Sequence, residues 1–473
     1  MNSQMGAIHH VHFVGIGGVG MGGIAEVLIN LGYAVQGSDV RQNLITERLA
    51  SLGAKIFIGH DSDHIGKADV VVVSSAIAPD NPEIVKATRQ RIPVVQRAEM
   101  LAELMRFRSG IAVAGTHGKT TTTSLIASML AEGGLDPTFV IGGRLASANA
   151  NAQLGEGEYL VAEADESDTS FLHLQPVIAI VTNVDADHLE SYEGDFGRLK
   201  QGFTDFLHNL PFYGLAIICN DDLNARTLIP AVGRRVLTYG VSDGSDIRAE
   251  EVKSVGLASS FVVHRAGHEP LELKVNLPGF HNMLNSLAAV SVATELGVSD
   301  EAIKKALLEF SGIDRRFQVL GTVTTRKGLV TFVDDYAHHP TEIAATIQAA
   351  RQSWPGNRLV VAFQPHRYTR TNALIDDFSE VLSGADVLLL TDIYSAGEEP
   401  IIGADGRALA RAVRSRGCVE PVFVVDLKEL PGVLEGVIEA DDIVLILGAG
   451  NIGALAQCLP DQLAVMAPIG VKQ

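Results

Sequence analysis

Two glycine-rich turns a hundred residues apart constrain this chain more than any other feature. In the first, the apolar run "HVHFV" meets Gly15-x-Gly17-Gly18-x-Gly20, an amphipathic stretch follows, and a second apolar run ends at Ser38 and Asp39. In the second, "IAVAG" runs through Gly115 into Thr116, His117, Gly118, Lys119, Thr120 and Thr121. Backbone N–H groups converge on an anion at such a turn where a strand hands over to a helix, because the helix N-terminus supplies donors that have no partner inside the helix. Each turn therefore demands a strand–helix unit. The alternation of short strands and helices around them demands parallel sheets covered by helices. The first turn, with an acidic residue roughly 20 positions on, has the dinucleotide-binding pattern and reads at first like the opening of a dehydrogenase. In the second, Lys119 is placed for terminal phosphates and the Thr120 hydroxyl for Mg²⁺, although Val113 replaces the first glycine of the full phosphate-loop pattern. A nucleoside triphosphate is the expected ligand there.

The chain has 473 residues, 47% of them apolar and 20% charged. That is material for roughly two to four buried cores. A net charge of −19 argues against a nucleic-acid scaffold, since phosphate backbones are held by clustered Lys and Arg. No apolar run reaches the ~18–20 residues of a membrane span, and no basic start leads into an apolar targeting segment. A cytoplasmic protein binding neither nucleic acid nor membrane is expected. Cys219, Cys418 and Cys458 fit no metal spacing and read as reduced thiols.

The fold class expected is α/β in three domains. Residues 1–107 read as a Rossmann-like parallel sheet, with strands in "HVHFVGI", "AVQGSD", "AKIFIG", "DVVVVSSAI" and "PVVQ". Residues 108–313 read as a central α/β domain of the phosphate-loop ATPase kind, with "EYLVAEAD", "VIAIVTNVD" and "GLAIICNDD" as strands and an alternating segment at 246–277 joining the same sheet. Residues 314–473 read as a second Rossmann-like unit.

Two acidic clusters follow central strands, Glu163, Asp165, Glu166 and Asp168 in one, Asp185, Asp187 and His188 in the other. Beyond the carboxyl ends of parallel strands they would suit a magnesium site; taken singly, each also reads as a solvated acidic turn. His9, His10 and His12 have no carboxylate near them in sequence and are read as strand residues. Gly448-x-Gly450-x-x-Gly453 lacks a following strand and reads as a structural turn, and Trp354 as a packing residue beside Pro355.

"GTHGKTTT", "EADESD", "NVDADH", "GFHNMLNSLAA", "GIDRRFQ", "DDYAHHPTE" and "FQPHRYTRT", in this order along the whole chain, resemble the Mur ligases, ATP-dependent amide ligases of peptidoglycan precursor synthesis. The resemblance implies that the first turn (Gly15, Gly17, Gly18, Gly20) holds the diphosphate of a UDP-sugar and the second holds ATP. It implies that Ser38, Asp39, His60, Ser74 and Ser75 line the uridine pocket. Lys119 would grip the β/γ-phosphates, while Thr120, Glu163 and His188 would hold Mg²⁺. Asn282, Asn285, Arg316 and Asp335 would contact ATP. Tyr336, His366, Arg367 and Arg370 would serve the amino acid and acyl group, with His338 the candidate base. Where sister ligases carbamylate a lysine, this chain has Phe203, with Lys200 three residues early, so carbamate chemistry is not expected. The implied reaction joins L-alanine to the lactyl carboxylate of UDP-N-acetylmuramate through an acyl phosphate, in a monomer or homodimer, with closure about residues 107–110 and 312–316. Two alternatives stay open: a ligase adding a recycled tripeptide to the same sugar nucleotide, and a nicotinamide-dependent oxidoreductase using the first turn alone.

Overall fold

The computed structural model describes residues 5–74, 76–145 and 150–464, which build three sheets. Strands β1 (His10–Val14), β2 (Ala34–Asp39), β3 (Lys55–Ile58), β4 (Val70–Val73) and β5 (Val94–Gln96) form the first. All its pairings are parallel, in the order β3-β2-β1-β4-β5. The chain changes direction of travel between β1 and β4, and the carboxyl ends on either side of that switch form the crevice where open sheets take ligands. Helix α1 (Val19–Asn30) starts at Gly18 and is buried from Met21 to Leu28. Its glycines permit that depth, for a Cβ on Gly22 would lie 2.3 Å from Ile45 on α2 (Leu44–Ser51), a helix that Asn43 caps by accepting from the Ile45 and Thr46 amides.

The central sheet has ten strands: β6 (Ser109–Ala114), β7 (Thr138–Leu145), β8 (Ala150–Gln153), β9 (Tyr159–Glu163), β10 (Ile178–Val181), β11 (Leu215–Cys219), β12 (Arg235–Gly240), β13 (Ile247–Val255), β14 (Ala258–Arg265) and β15 (Leu271–Val275). Their order is β15-β14-β13-β12-β11-β10-β6-β9-β7-β8. Parallel β9, β6, β10 and β11 are apolar runs buried on both faces, as covered parallel strands must be. The segment 246–277 joins this sheet as expected, but β13 does so through a parallel pairing, Tyr239 to Ile247 and Gly240 to Arg248. The antiparallel β7–β8 pair joins the buried run Thr138–Ile141 to a stretch rich in Ala and Asn that has no strand signature of its own.

The third sheet comprises β16 (Gln318–Thr325), β17 (Gly328–Asp335), β18 (Leu359–Phe363), β19 (Val387–Thr391), β20 (Val422–Val424) and β21 (Asp442–Leu447), ordered β16-β17-β21-β18-β19-β20. It is parallel except for β16, which pairs antiparallel with β17.

The chain divides into two compact units, Met1–Val252 with Ser260–Val275 and Leu284–Ser311, and Lys253–Ser259 with Asn276–Met283 and Gly312–Gln473. The first two sheets thus share a unit. One apolar core runs from Phe13 and Ile24 to Val140, Ala162 and Val181. The expected bend at residues 107–110 lies inside this unit, with Ser109 already paired in the central sheet; residue 312, by contrast, opens the second unit.

Following α3 (Pro82–Gln90), α4 (Arg97–Arg106) and α5 (Lys119–Glu132), helix α6 (Phe196–His208) buries Phe203 and Phe206 against Phe171, with ring centres 5.4 and 5.3 Å from it. Phe203 is thus a core residue, while Lys200 lies over the Phe196 ring. Phe203→Ala is expected to cost about 3–5 kcal/mol, seen as a lower urea midpoint. An unchanged midpoint would show that the three rings are not packed as described.

Candidate active site

The second glycine turn sits at the carboxyl end of β6, flanked by the ends of β9 and β10, where Val113 pairs with Glu163 and Ala114 with Val181. Gly115 has φ 132° and Gly118 φ 82°, backbone conformations that side chains resist. Space forbids a side chain as well, since a Cβ on Gly115 would fall 2.0 Å from Thr182 Oγ1 and one on Gly118 2.5 Å from Asn285 Oδ1. The turn is held from beneath: Thr182 Oγ1 donates to the His117 carbonyl (2.7 Å), and Asn183 Oδ1 accepts from the His117 amide (2.8 Å). Thr116 Oγ1 accepts from the Asp185 amide (2.9 Å), and His117 Nε2 lies 3.1 Å from Asp185 Oδ2. Thr182 and Asn183, which open the "TNVD" segment, were missed because hydroxyl and amide side chains at a strand end carry no motif of their own.

Lys119, largely buried, donates from Nζ to the Gly115 carbonyl (2.7 Å) and to Glu166 Oε2 (2.6 Å). Burial alone would strip its proton, but Glu166, Asp165 and Glu163 hold the ammonium above its ordinary pKa. Glu166 is fully buried and shifted upward, by burial first, with Lys119 pulling the other way. Its Oε1 has no hydrogen-bond partner. Sequence reasoning gave Glu166 no individual role; burial singles it out. Thr120 and Thr121 are buried in the first turn of α5. Asn285 Oδ1 accepts from Thr122 Oγ1 (3.2 Å), and Asn282 Nδ2 donates to the Pro278 carbonyl (2.8 Å). Glu163 Oε1 accepts from the Gly142 amide (2.6 Å). His188 has φ 55°, and its Nε2 lies 3.4 Å from Asp187 Oδ2.

In the first turn, Gly15 and Ile16 donate backbone N–H groups to the Ser38 carbonyl (2.8 and 3.0 Å). Asp39 reaches back into the turn, where its Oδ2 accepts from the Gly17 amide (2.9 Å) and its Oδ1 from the Arg41 amide (3.3 Å). Gly18 precedes α1 without a side-chain cap, so the first-turn donors are left for an anion. A residue that sequence reasoning missed stands beside them: Arg97, whose Nη1 lies 3.2 Å from where a Gly20 Cβ would be, and whose Nη2 is 4.0 Å from Asp165. Ser38 is buried, with its hydroxyl 2.9 Å from His60 Nδ1. The Ser74 carbonyl accepts from the Ile77 amide, while Ser75 lies outside the described residues.

His10 and His12 lie on β1, as read, and folding supplies the N-terminal histidines with carboxylate partners from 59 to 71 residues downstream. The His9 and His10 amides donate to Asp69 Oδ2 (2.8 Å each), and buried His12 bonds Glu83 (3.1 Å).

Within the second unit, Asp335 accepts from the Phe317 and Ala337 amides (2.7 Å each). The Arg316 guanidinium lies 5.1 Å from the Tyr336 ring centre. His338 Nδ1 is 2.9 Å from the Tyr336 carbonyl; a carbonyl only accepts, so the proton sits on Nδ1 and the basic lone pair on Nε2. The His338 and His366 rings meet edge to face at 5.7 Å, and His366 stacks on Tyr394 at 5.6 Å, a residue the sequence did not flag. Arg367 has φ 70°, held by its N–H on the Tyr394 carbonyl (2.9 Å). Such strain costs about 1–3 kcal/mol and concentrates at functional sites. Arg370 is buried on the helix that follows. The C-terminal glycines serve structure: Arg315 bonds the Gly448 carbonyl and fills the place of a Gly453 side chain. Trp354 stacks on Phe317.

The arrangement suits an ATP-consuming ligase: one unit carries two glycine turns at strand ends, and the other carries a histidine with arginines on its own loops. The chain matches the Mur ligase family, catalytic domain, over residues 10–109, the Mur ligase middle domain over 113–293 and the Mur ligase glutamate ligase domain over 315–450. It belongs to the Mur ligase family. Among its relatives, UDP-N-acetylmuramate–L-alanine ligase of Methylococcus capsulatus is 60% identical over 459 residues, 97% of each chain. The crystal structure of UDP-N-acetylmuramate–alanine ligase from Thermotoga maritima superposes with a TM-score of 0.81 at 31% identity, covering 96% of this chain and 98% of that one. A murein peptide ligase from Psychrobacter arcticus gives 0.71 at 26% identity, covering 98% and 100%.

Burial pushes Asp335 up to about 6, against the pull of Arg316 and the two amides. The folded state therefore binds more protons than the unfolded one between about pH 4 and 6, and this residue's contribution to stability falls as pH rises through that window. Asp335→Asn is expected to be less stable throughout, because an amide group faces backbone donors, yet to show a flatter slope there in denaturation curves taken across pH. An identical slope would remove the assignment.

Proposed function

We propose that this chain joins L-alanine to the lactyl carboxylate of UDP-N-acetylmuramate with consumption of ATP, forming ADP and phosphate, as a cytoplasmic step of peptidoglycan precursor synthesis. The observation that carries the reading is Lys119, held protonated at the mouth of a glycine turn whose unit also contains a second anion cradle. A carboxylate oxygen is a poor leaving group. Its attack on the γ-phosphorus of ATP gives an acyl phosphate and ADP; the alanine amine then attacks the acyl carbon and phosphate departs. Lys119 neutralises charge on the transferring phosphoryl group. The Nε2 lone pair of His338 takes the proton that the amine sheds. Arg316, Asp335, Asn282 and Asn285 serve the nucleotide, while Tyr336, His366, Arg367 and Arg370 serve the amino acid and acyl group.

The donor set under the loop fits Mg²⁺, a hard cation that prefers oxygen. Glu166 offers a buried oxygen without a partner, and the Thr120 hydroxyl, the Glu163 carboxylate and His188 are the further residues that would hold the ion. When bound, the ion supplies Lewis-acid neutralisation of the phosphates. We further propose that the segments 1–107, 108–313 and 314–473 serve the sugar nucleotide, ATP and the amino acid in turn, in a monomer or homodimer. Among the described residues no helix is long and apolar enough to cross a membrane.

The nicotinamide alternative needs Asp39 on a ribose, whereas its carboxylate is committed to the Gly17 and Arg41 amides. The 60% identity to an alanine-adding relative favours alanine over a tripeptide.

Phosphate release should require UDP-N-acetylmuramate, ATP and Mg²⁺, and should rise on adding L-alanine but not the tripeptide. Release that is indifferent to the sugar nucleotide would overturn the reading. Lys119→Met is expected to lower turnover by about 10²–10³-fold or more. It should remain folded, because Glu166, already shifted upward, takes up a proton in place of the lost partner. Near-normal ADP formation by this variant would contradict the role of Lys119.

A further inference from the structure

A polar network with no part in the chemistry above lies inside the first sheet. Glu83, in the first turn of α3, is completely buried, as are His12 on β1 and Ser38 on β2. Glu83 Oε2 accepts from the Ser38 hydroxyl (2.6 Å) and bonds His12 Nε2 (3.1 Å). Its Oε1 bonds His64 Nδ1 (3.0 Å) and accepts from the Asp61 amide (3.2 Å). On the far side of His12, Gln36 Nε2 lies 3.2 Å from Nδ1. Gln36 gives its two N–H groups to the His64 and Ile65 carbonyls (2.9 and 3.0 Å), so the His12 tautomer is set from the other side: a carboxylate only accepts, and His12 carries its proton on Nε2, toward Glu83. Burial acts to raise Glu83, but the hydrogen bonds from His12 and Ser38 outweigh it and keep the carboxyl below its ordinary range.

The proton count along this chain then has one solution. Glu83 is ionised and can only accept, so the single Ser38 proton points to it. The contact between Ser38 Oγ and His60 Nδ1 (2.9 Å) must therefore be made by a proton on Nδ1. That leaves Nε2 of a neutral His60 as an acceptor. The ring is 17% exposed, and no hydrogen bond of the described residues engages Nε2.

His60 follows β3 by two residues, and Ser38 is the penultimate residue of β2. Both stand at the carboxyl ends of the strands on the β2 side of the glycine turn, where the nucleoside of a ligand anchored at the α1 N-terminus is received. Uracil presents an N3–H donor between two carbonyls; cytosine presents a bare N3 lone pair at the same place. An acceptor pairs with the first and is opposed by the second.

We propose that Glu83, through Ser38, fixes the tautomer of His60 so that its Nε2 selects a uracil over a cytosine nucleotide. This rests on the sugar-nucleotide reading above. Glu83 is a positioning residue, and His60 is the one that meets the base.

The test uses the full chain at pH 8, with ¹⁵N-labelled histidine for NMR and calorimetric titration with UDP and with CDP. The expected tautomer of His60 carries its proton on Nδ1. UDP should bind more tightly than CDP by about tenfold or more, since a site built around one hydrogen bond rejects the analogue that leaves it unpaired. In Glu83→Met, of similar length and without a carboxylate, the Ser38 hydroxyl loses its acceptor and turns to His60 Nδ1, which moves the ring proton to Nε2. The UDP-to-CDP preference should then collapse or invert, whereas mere loosening would weaken both ligands alike. His60→Ala, which leaves the buried core intact, should lose UDP affinity with little change for CDP. An Nε2–H tautomer in the parent protein, or an unchanged preference in both variants, overturns the inference. If UDP binds and competes with the sugar nucleotide in phosphate release while the preference is insensitive to His60, only the inference falls. If UDP neither binds nor competes, the sugar-nucleotide reading falls with it.

Discussion

The structure is organised around the cost of gathering negative charge. A lysine and a glutamate buried together under the second glycine turn carry that burden, and the surrounding backbone is shaped by them. Removing one member of such a pair leaves a lone buried charge, a loss of about 3–5 kcal/mol unless the survivor changes protonation state. Lys119 is fixed by Glu166 on one side and the Gly115 carbonyl on the other. The turn is fixed in its own right by Thr182 and Asn183 at the end of the neighbouring strand. Positive φ at Gly115 and Gly118, and the absence of room for a Cβ at either, follow from that clamp.

Much of this was legible in the chain because strand-to-helix glycine turns are local. Apolar runs named the central strands, and Gly115 to Thr121 named the loop. The positions that escaped are those whose meaning is made by distance. Glu83 reads as an ordinary acidic residue at a helix start, an excellent place for a carboxylate beside the positive end of the helix dipole. Only the parallel sheet, by laying β1 between β2 and β4, delivers His12 and Ser38 to it. The same holds for His10 and Asp69, for Arg97 near Gly20, and for Tyr394 under His366. The edge strands β8 and β16 were hidden for another reason. Edge strands bury little, so their sequences need no apolar alternation.

The two glycine turns also differ in how they use an acidic neighbour. In the first, Asp39 is turned inward onto the Gly17 amide and tightens the turn. In the second, Glu166 takes the lysine and leaves one oxygen uncommitted. The two turns share the strand–glycine–helix plan but not its details: the glycine before the helix is extended in the first (Gly18, φ −69°) and left-handed in the second (Gly118, φ 82°).

The apolar core shared by the first two sheets has a consequence for chemistry outside the cell's own. Because α1 is buried within that core, the two cradles belong to one compact unit, and packed side chains lie between them. A synthetic molecule carrying two anionic heads on a stiff spacer would meet a target of constant length. Its spacer would be matched to the packing of this one unit.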